Sequence, residues 1–159
     1  LILAPRDPKR SERIIGQIPS PPHRPVLLSQ LTQNSQDHDL IVVDKMGLLA
    51  MAYAVCDLAF IGGSLLPFGG HNPLEPAMFG KPILLGPHMT DFLEIADLLV
   101  AEQGAVRVET VSQIQAELEK ILQDPGRLKQ MGDGSYSVFF GNTGAVDRTL
   151  TKMEDLDFV

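Results

Sequence analysis

The stretch GSLLPFGGHNPLEPAMFGKP, residues Gly63–Pro82, lies between two short apolar segments, Leu58–Ile61 and Ile83–Leu85. Both segments are continuously apolar, which is typical of parallel strands that are buried on both faces. Within the stretch, Asn72 stands where the N-cap of a helix is expected, a proline follows it, and Glu75 occupies the third helical position. The order of strand, helix and strand with short turns predicts a parallel sheet.

The same alternation continues along the chain and predicts a doubly wound α/β domain that spans residues 1–159. We expect one parallel sheet of about six strands with helices on both faces, the strands being Leu1–Ala4, Val26–Leu28, Leu40–Val43, Leu58–Ile61, Ile83–Leu85 and Ala105–Val108. The predicted helices are Pro8–Ile18, Met46–Val55, Pro73–Phe79, Asp91–Val100, Ser112–Gln123, Arg127–Phe140 and Gly144–Leu156. Asp7 is the expected N-cap of the first helix, and Asp91 with Glu94 and Ser112 with Gln115 have the spacing of capping boxes.

Composition narrows the classes of function. The chain has 159 residues, 44% of them hydrophobic, which is enough for one domain with a hydrophobic core. With 13 Lys and Arg against 20 Asp and Glu, the net charge of -7 argues against nucleic acid as a partner. The single cysteine, Cys56, excludes an internal disulfide, and no apolar run approaches the roughly 18 residues that span a bilayer. Because the chain starts within a predicted strand and without Met, we expect it to be a segment of a longer protein.

Ligand-binding residues are expected beyond the carboxyl ends of the strands, where open α/β sheets bind their ligands. Arg6 follows the first predicted strand, and Asp44 and Lys45 follow the third. The glycine-rich stretch follows the fourth strand, and His88 follows the fifth. Each residue alone is weak evidence, since a lone cation is more often a solvated side chain. Their common placement predicts that they lie on one rim of the sheet.

The glycine-rich stretch has the features of an anion site. Gly69 and Gly70 allow a ligand to approach the backbone closely, and a helix that begins at Asn72 would direct its free amide groups and positive dipole end towards them. The carboxylate of Glu75 would repel an anion but can accept hydrogen bonds from two ribose hydroxyls. Phosphate next to ribose predicts a nucleotide. The alternative is an ordinary capped helix after a glycine turn, with His71 as a plain loop residue, and these residues alone leave both open.

Five segments of the chain occur, in the same order, in one known group of enzymes: APRDPKR (Ala4–Arg10), DKMGLL (Asp44–Leu49), DLAFIGGSLLPFGGHNPLEPA (Asp57–Ala77), KPILLGPHMTDF (Lys81–Phe92) and NTGAV (Asn142–Val146). On these segments, of which GGHNPLEPA is the specific part, the chain resembles the 3-deoxy-D-manno-octulosonic acid (Kdo) transferases of lipopolysaccharide assembly. The resemblance covers about the C-terminal half of such an enzyme. It implies the GT-B fold, in which two Rossmann-like halves face a cleft and the C-terminal half holds the donor nucleotide.

The resemblance implies an activity and a set of contacts. These enzymes transfer Kdo from CMP-Kdo to a hydroxyl of the lipid A precursor, with inversion, without a cofactor and without an essential metal. Together with Lys45 from the strand ends, the implied donor-binding residues are Arg6 at the phosphate, Met46 and Gly47 at the cytidine, and Gly63, Ser64, Gly70, His71, Asn72 and Glu75 around phosphate and ribose. Asp7 and Leu48 depart from the RHP and MGEL of many members, so neither is assigned a contact. The catalytic base of the family, a glutamate, belongs to the other half, so this chain alone should transfer nothing.

The resemblance also implies a location at the cytoplasmic face of the inner membrane of a Gram-negative bacterium, with the full-length protein bound peripherally. Two alternatives stay open. One is the donor half of another GT-B transferase, such as one that uses a UDP-sugar, and the other is a nucleotide-binding module without chemistry. A comparison of CMP binding with UDP binding distinguishes the first alternative. A second half with a catalytic base would exclude the other.

Overall fold

The computed structural model describes residues 1–32 and 37–143. Its backbone forms two compact units, Leu1–Cys56 and Asp57–Val159, and each unit is described by itself. The predicted helix Gly144–Leu156 lies outside the described residues. That residues 1–159 form one domain stays a prediction.

The first unit contains a three-stranded parallel sheet with a helix packed on it. Its elements are β1 (Ile2–Leu3), α1 (Ser11–Gln17), β2 (Pro25–Leu27), β3 (Leu40–Val42) and α2 (Leu49–Val55). β3 is the central strand in the order β1-β3-β2, and Ile41 pairs with Ile2 on one side and with Val26 on the other. Val42 is fully buried at the centre of this core. The apolar side chains that pack against it come from α1 and the residue after it, namely Ile14, Ile15 and Ile18.

The predicted start of the first helix is confirmed. Residues Pro8–Arg10 form a 3-10 helix that leads directly into α1, and the side chain of Asp7 accepts a hydrogen bond from the backbone N–H of Lys9 at 3.0 Å. The hydroxyl of Ser11, the first residue of α1, is buried and donates to the backbone oxygen of Val43 at 3.1 Å. This bond ties the start of α1 to the carboxyl end of β3, so it fixes where the turn between β1 and α1 lies.

The second unit contains a second three-stranded parallel sheet and covers it with helices on both faces. Its elements are β4 (Ala59–Phe60), α3 (Leu74–Ala77), β5 (Ile83–Leu85), α4 (Leu93–Ala101), β6 (Ala105–Arg107), α5 (Val111–Leu122) and α6 (Pro125–Asn142). β5 is the central strand and is fully buried. Ile83 and Leu85 pack with Leu99 of α4, whereas Leu84 packs with Ile121 of α5. Because successive side chains of a strand point to opposite faces, these contacts place helices on both sides of the sheet.

The number and direction of the strands agree with the prediction, but the strands form two sheets of three rather than one sheet of six. Each end of each strand lies within one residue of its predicted position. β1 and β4 are end strands of their sheets and have two residues each. Among the described residues, each of these two strands pairs with one neighbour only.

The start of α5 lies slightly earlier than predicted. The side chain of Thr110 accepts a hydrogen bond from the backbone N–H of Gln113 at 3.2 Å, and the side chain of Gln113 accepts one from the backbone N–H of Glu109 at 2.6 Å. Thr110 is therefore the N-cap of α5, and the Gln113 side chain reaches back to the residue before the cap instead of to the cap itself, as it would in a capping box. The predicted pair Ser112 and Gln115 is wrong, because the sequence offers two pairs at the same spacing and the helix uses the first.

The predicted capping box at the start of α4 is also wrong. A 3-10 helix, Thr90–Phe92, precedes α4, and Phe92 occupies the N-cap position without a side-chain cap. The backbone N–H of Asp91 donates instead to the backbone oxygen of Gly69 at 3.1 Å. Asp91 therefore belongs to the loop that contacts the glycine-rich stretch, and Glu94 does not reach back to it as a capping partner.

α6 is the longest of the described helices and is tied to α5 by charge. It starts before the predicted Arg127, and Asp124 caps it by accepting a hydrogen bond from the backbone N–H of Arg127 at 3.0 Å. The carboxylate of Glu117 on α5 accepts hydrogen bonds from Lys120 at 2.7 Å and from the Arg127 guanidinium at 2.8 Å. These bonds, Lys120 first, hold the pKa of Glu117 below its ordinary value. In residues 1–32 and 37–143, no helix is long and apolar enough to cross a membrane.

Candidate functional site

The candidate site in the second unit is built on the loop between β4 and α3. The backbone N–H of Gly70 donates to the backbone oxygen of Gly63, and the N–H of His71 donates to that of Gly62, each at 3.1 Å. These two bonds join the ends of the loop, so the residues between them form a compact surface loop. The loop follows the carboxyl end of β4, where the sequence predicts ligand-binding residues.

The imidazole of His71 lies over the backbone of the first glycine pair. A Cβ atom at Gly62 would stand 3.3 Å from ring atom Nδ1, and one at Gly63 would stand 3.6 Å from Nε2. Gly63 also has a φ of +70°, a conformation that favours glycine. Side chains at these two positions would crowd the ring or strain the backbone. His71 is nevertheless exposed, so a ligand can reach its imidazole.

The second glycine pair contacts the loop after β5. Gly69 and Gly70 have φ values of +85° and +77°. A Cβ atom at Gly69 would stand 2.5 Å from the carboxylate of Asp91, and one at Gly70 would stand 2.4 Å from the sulfur of Met89. Met89 is fully buried and belongs to the core around β5. Only glycine therefore fits at both positions, and the backbone that leads into His71 is held against the core.

Asn72 and Glu75 differ in what they contact at the start of α3. The Asn72 side-chain oxygen accepts a hydrogen bond from the backbone N–H of Leu74 at 3.0 Å, the bond expected of an N-cap, although the helix is assigned from Leu74, one residue later than predicted. In the part of the chain that the structure describes, the Glu75 carboxylate has no hydrogen-bond or ion-pair partner, and its side chain is partly exposed. Glu75 therefore does not complete a capping box and stays available to a ligand.

The dipole of α3 contributes less to anion binding than the sequence suggests. The helix has only four residues, Leu74–Ala77. A macrodipole is the sum of aligned peptide dipoles, so one turn supplies a small part of the charge that a long helix presents. Attraction for an anion at this loop therefore depends on its amide groups and on the imidazole of His71.

Ser64 occupies a different environment from the other predicted contacts. It is fully buried, and its hydroxyl donates to the backbone oxygen of Ile61 at 2.5 Å and accepts from the backbone N–H of Gly86 at 2.8 Å. Its backbone oxygen accepts from the N–H of His88 at 2.9 Å. A direct contact of the Ser64 hydroxyl with a ligand stays a prediction, and this burial does not favour it.

The other predicted donor-binding residues lie in the first unit, at the carboxyl ends of β1 and β3. Arg6 is exposed in the turn after β1, and Lys45, Met46 and Gly47 are exposed in the turn after β3. Gly47 has a φ of +80°, and a Cβ atom there would meet no atom within 4 Å. Its glycine is therefore explained by backbone conformation and not by packing. Because β1 and β3 are parallel neighbours, both turns lie at the same edge of their sheet.

Asp44 holds the turn that carries Lys45. Its carboxylate accepts hydrogen bonds from the backbone N–H of Ser29, at 3.0 Å, and from the Ser29 hydroxyl. The hydroxyl bond is the main cause that holds the pKa of Asp44 below its ordinary value, and the charge of Lys45 acts in the same direction. Asp44 is thus an ionised carboxylate that joins the carboxyl ends of β2 and β3.

The structure brings the predicted residues together in two groups, one in each unit. Arg6 and the turn Lys45–Gly47 form one group, and the glycine-rich loop with Glu75 forms the other. That all of them share one rim stays a prediction. Sequence reasoning missed Gly62, on which the His71 ring lies, and the contact of Asp91 with Gly69. The first could have been found from IGGS, a glycine pair directly after a strand, whereas nothing in the local sequence indicates the second.

The loop in the second unit combines three kinds of chemical group. Among the described residues, no atom accepts a hydrogen bond from the backbone N–H groups of Gly62 and Gly63. These N–H groups and the imidazole of His71 can donate to an anion. The carboxylate of Glu75, which has no partner in residues 1–32 and 37–143, can accept from hydroxyls. The combination suits a ligand that carries a phosphate and hydroxyl groups.

Comparison with known proteins adds an independent observation, although no protein-family model matches the chain. The chain is 34% identical over 151 residues to a 3-deoxy-D-manno-octulosonic acid transferase of Haemophilus influenzae, covering 94% of this chain and 35% of the relative. It is 28% identical to the same enzyme of Bordetella pertussis, covering 98% and 36%. It is 30% identical to a bifunctional glycosyltransferase/methyltransferase of Fusobacterium nucleatum, covering 98% and 24%. The chain thus spans about a third or less of the length of these relatives.

Among solved structures, the chain is similar to the C-terminal CMP-Kdo binding domain of WaaA from Acinetobacter baumannii. The two share 27% sequence identity and a TM-score of 0.79, over 86% of this chain and 72% of that chain. Sequence and fold therefore agree on the same relatives. The resemblance to the Kdo transferase family is confirmed, and the chain corresponds to the C-terminal domain of such a protein.

Proposed function

We propose that this chain is the donor-binding part of a glycosyltransferase of the GT-B type that transfers Kdo from CMP-Kdo to the lipid A precursor. The observation that carries the proposal is the loop Gly62–His71, which presents amide groups and an imidazole one turn before the free carboxylate of Glu75. The relatives support it, because curated transferases of Kdo and a CMP-Kdo binding domain share its sequence and fold.

The phosphate of the donor is assigned to the loop between β4 and α3. The N–H groups of Gly62 and Gly63 and the exposed ring of His71 would donate hydrogen bonds to its oxygens. Hydrogen bonds to an ionised oxygen are about twice as strong as neutral ones, so a few donors suffice on a protein of net charge -7. Gly69 and Gly70 shape the backbone that carries His71, and the φ values of both are positive.

The ribose is assigned to Glu75. Its carboxylate has no partner among the described residues and lies in the first turn of α3, directly after the loop. An ionised carboxylate accepts hydrogen bonds through two oxygens, which matches the paired hydroxyls of a ribose. Asn72 supports this arrangement by capping the helix, since its side-chain oxygen is already bonded to the N–H of Leu74.

The turns of the first unit supply the remaining contacts in this proposal. Arg6 would bind the donor phosphate, and Lys45 would add positive charge beside it. Met46 and Gly47 would contact the cytidine, for which an exposed apolar side chain and an open backbone are suitable. Asp44 would keep the turn in place through Ser29.

The chemistry follows from the leaving group. When Kdo departs from CMP-Kdo, negative charge increases on the phosphate, and donors held in fixed positions stabilise that charge without reorganising. His71, the loop amides and Arg6 are the groups proposed to do so. The catalytic base and the acceptor site would belong to the other half of the transferase, and the complete protein would act at the cytoplasmic face of the inner membrane. The chain alone would bind CMP without transferring a sugar.

Titration of the 159-residue chain with CMP tests the proposal. We expect saturable binding with a Kd of roughly 0.1–10 mM, since one wall of the cleft alone buries only part of the ligand. UMP, which differs from CMP in the base alone, and UDP are the comparison ligands and should bind more weakly. Absence of binding at about 10 mM CMP would overturn the nucleotide assignment. Stronger binding of UMP or UDP would favour a transferase that uses a UDP-sugar.

A further inference from the structure

Ser64 lies at the centre of a buried hydrogen-bond network beside the candidate site. Its hydroxyl is bonded on both sides, as donor to the backbone oxygen of Ile61 and as acceptor from the N–H of Gly86. Its backbone oxygen accepts from the N–H of His88. Ser64 therefore joins the loop after β4 to the loop after β5 by two bonds, from Gly86 and His88, and its bond to Ile61 holds it against the end of β4. The residue is fully buried, so these bonds are shielded from water.

The two loops are also in direct contact at this point. A Cβ atom at Gly86 would stand 2.2 Å from the backbone oxygen of Ser64 and 2.6 Å from the backbone nitrogen of Leu65. Backbone at such close range leaves no room for a side chain, so the position of Ser64 relative to the end of β5 is closely defined. Among the described residues, no buried side-chain polar atom lacks a hydrogen-bond partner, so this network is complete.

The network reaches His71 through the two residues that precede Ser64. The backbone oxygens of Gly62 and Gly63 accept the two hydrogen bonds that close the loop, and the His71 ring lies on the same two glycines. The Ser64 hydroxyl thus holds the backbone on which the imidazole rests. Its full burial keeps it away from any ligand at the surface.

We propose that Ser64 is a positioning residue of the nucleotide site, which sets the place of the His71 imidazole and of the Gly62 and Gly63 amides without touching the ligand. The inference rests on the proposed function for its ligand but not for its geometry. A ligand contact would make Ser64 a binding residue, and a purely structural role would leave the site of a folded variant unchanged. The two alternatives differ from a positioning role in what they do to His71 before any ligand is added.

The experiment compares Ser64→Ala with Ser135→Ala in the 159-residue chain. Ser135 is the matched control, since it is also fully buried and its hydroxyl donates to the backbone oxygen of Gly132 within α6, at 2.9 Å. The first measurement is the NMR spectrum of the histidine rings without nucleotide, with His71 assigned through His71→Gln. The second is the Kd for CMP, taken at a temperature where both variants are folded.

Ser64→Ala should shift the His71 resonance and weaken CMP roughly five-fold, because one buried hydrogen bond no longer holds the loop. Ser135→Ala should change neither. A folded Ser64→Ala with an unchanged His71 resonance and unchanged CMP binding would show a structural role and overturn the inference. Weaker CMP binding with an unchanged resonance would show a direct contact and overturn it equally.

A second variant covers the case in which Ser64→Ala does not fold. Ser64→Cys keeps a weak donor, but its larger sulfur does not reproduce the short bonds of the hydroxyl, so the folded variant should shift the His71 resonance. An unchanged resonance in that variant would overturn the inference. If the wild-type chain does not bind CMP, the proposed function fails, whereas the ligand-free resonance still decides the role of Ser64.

Discussion

Replacement of Glu75 by Gln tests whether the free carboxylate of the candidate site binds ribose. A hydrogen bond to a charged acceptor contributes about 1.5–3 kcal/mol, and the partial exposure of Glu75 places it at the lower end of that range. About 1.5 kcal/mol corresponds to a roughly ten-fold rise in the Kd for CMP. Because the carboxylate has no partner among the described residues, the free energy of unfolding should change by less than about 0.5 kcal/mol.

The assay is a thermodynamic cycle with CMP and its 2′-deoxy and 3′-deoxy analogues, titrated by NMR against wild type and Glu75→Gln. In the wild type, removal of a ribose hydroxyl should weaken binding by up to about ten-fold. In the variant, the same removal should have little effect, since the contact is already lost, and this non-additivity identifies a direct contact. Glu102→Gln is the control, because Glu102 is an exposed glutamate at the C-terminal end of α4.

Two results would refute this reasoning. If the deoxy analogues lose the same affinity in both proteins, Glu75 does not touch the ribose, and the loop is at most a phosphate site followed by a capped helix. If Glu75→Gln lowers the free energy of unfolding by more than about 1 kcal/mol, the carboxylate contributes to the fold. Chemical unfolding of both variants, measured alongside the titrations, separates lost binding from lost structure.

Three further predictions concern other parts of the chain. Gly69→Ala should destabilise the chain by about 1–3 kcal/mol in chemical unfolding, because φ is +85° and the new Cβ would collide with the Asp91 carboxylate. Adding Asp91→Ala to the same chain removes the collision but not the backbone strain, so it should recover only part of the lost stability. Glu117→Gln should lower the free energy of unfolding by about 1 kcal/mol at neutral pH. The pKa of Glu117 is lowered from 4.5, so this contribution is present above that value and disappears as pH falls through the lowered pKa; a difference from wild type that persists in acid would contradict it. In the full-length transferase, Arg6→Ala should lower kcat/KM by roughly 100-fold or more, and near-normal kinetics would remove Arg6 from the site.

The sequence was a good guide to the strands because their signal is local. Each apolar run, such as Ile83–Leu85, is buried on both faces, and burial on both faces is what a continuous run of apolar residues predicts. Helix starts were less predictable, since Thr110 with Gln113 and Ser112 with Gln115 share one spacing, and spacing alone does not show which residue caps the helix. Division of the strands into two sheets depends on long-range pairing, for which short strands carry no sequence signal.

The sequence predicted which residue types form the site, but not which of them are available to a ligand and which support the backbone. From the sequence, Asn72 and Glu75 are equally consistent with a helix start and with a ligand site. In the structure, the side-chain oxygen of Asn72 caps the helix, whereas Glu75 is left without a partner among the described residues. For Ser64 the resemblance implied a ligand contact, whereas its full burial favours a role in supporting the loop. Accessibility, which no short motif encodes, therefore decides between residues that bind and residues that hold the binding residues in place.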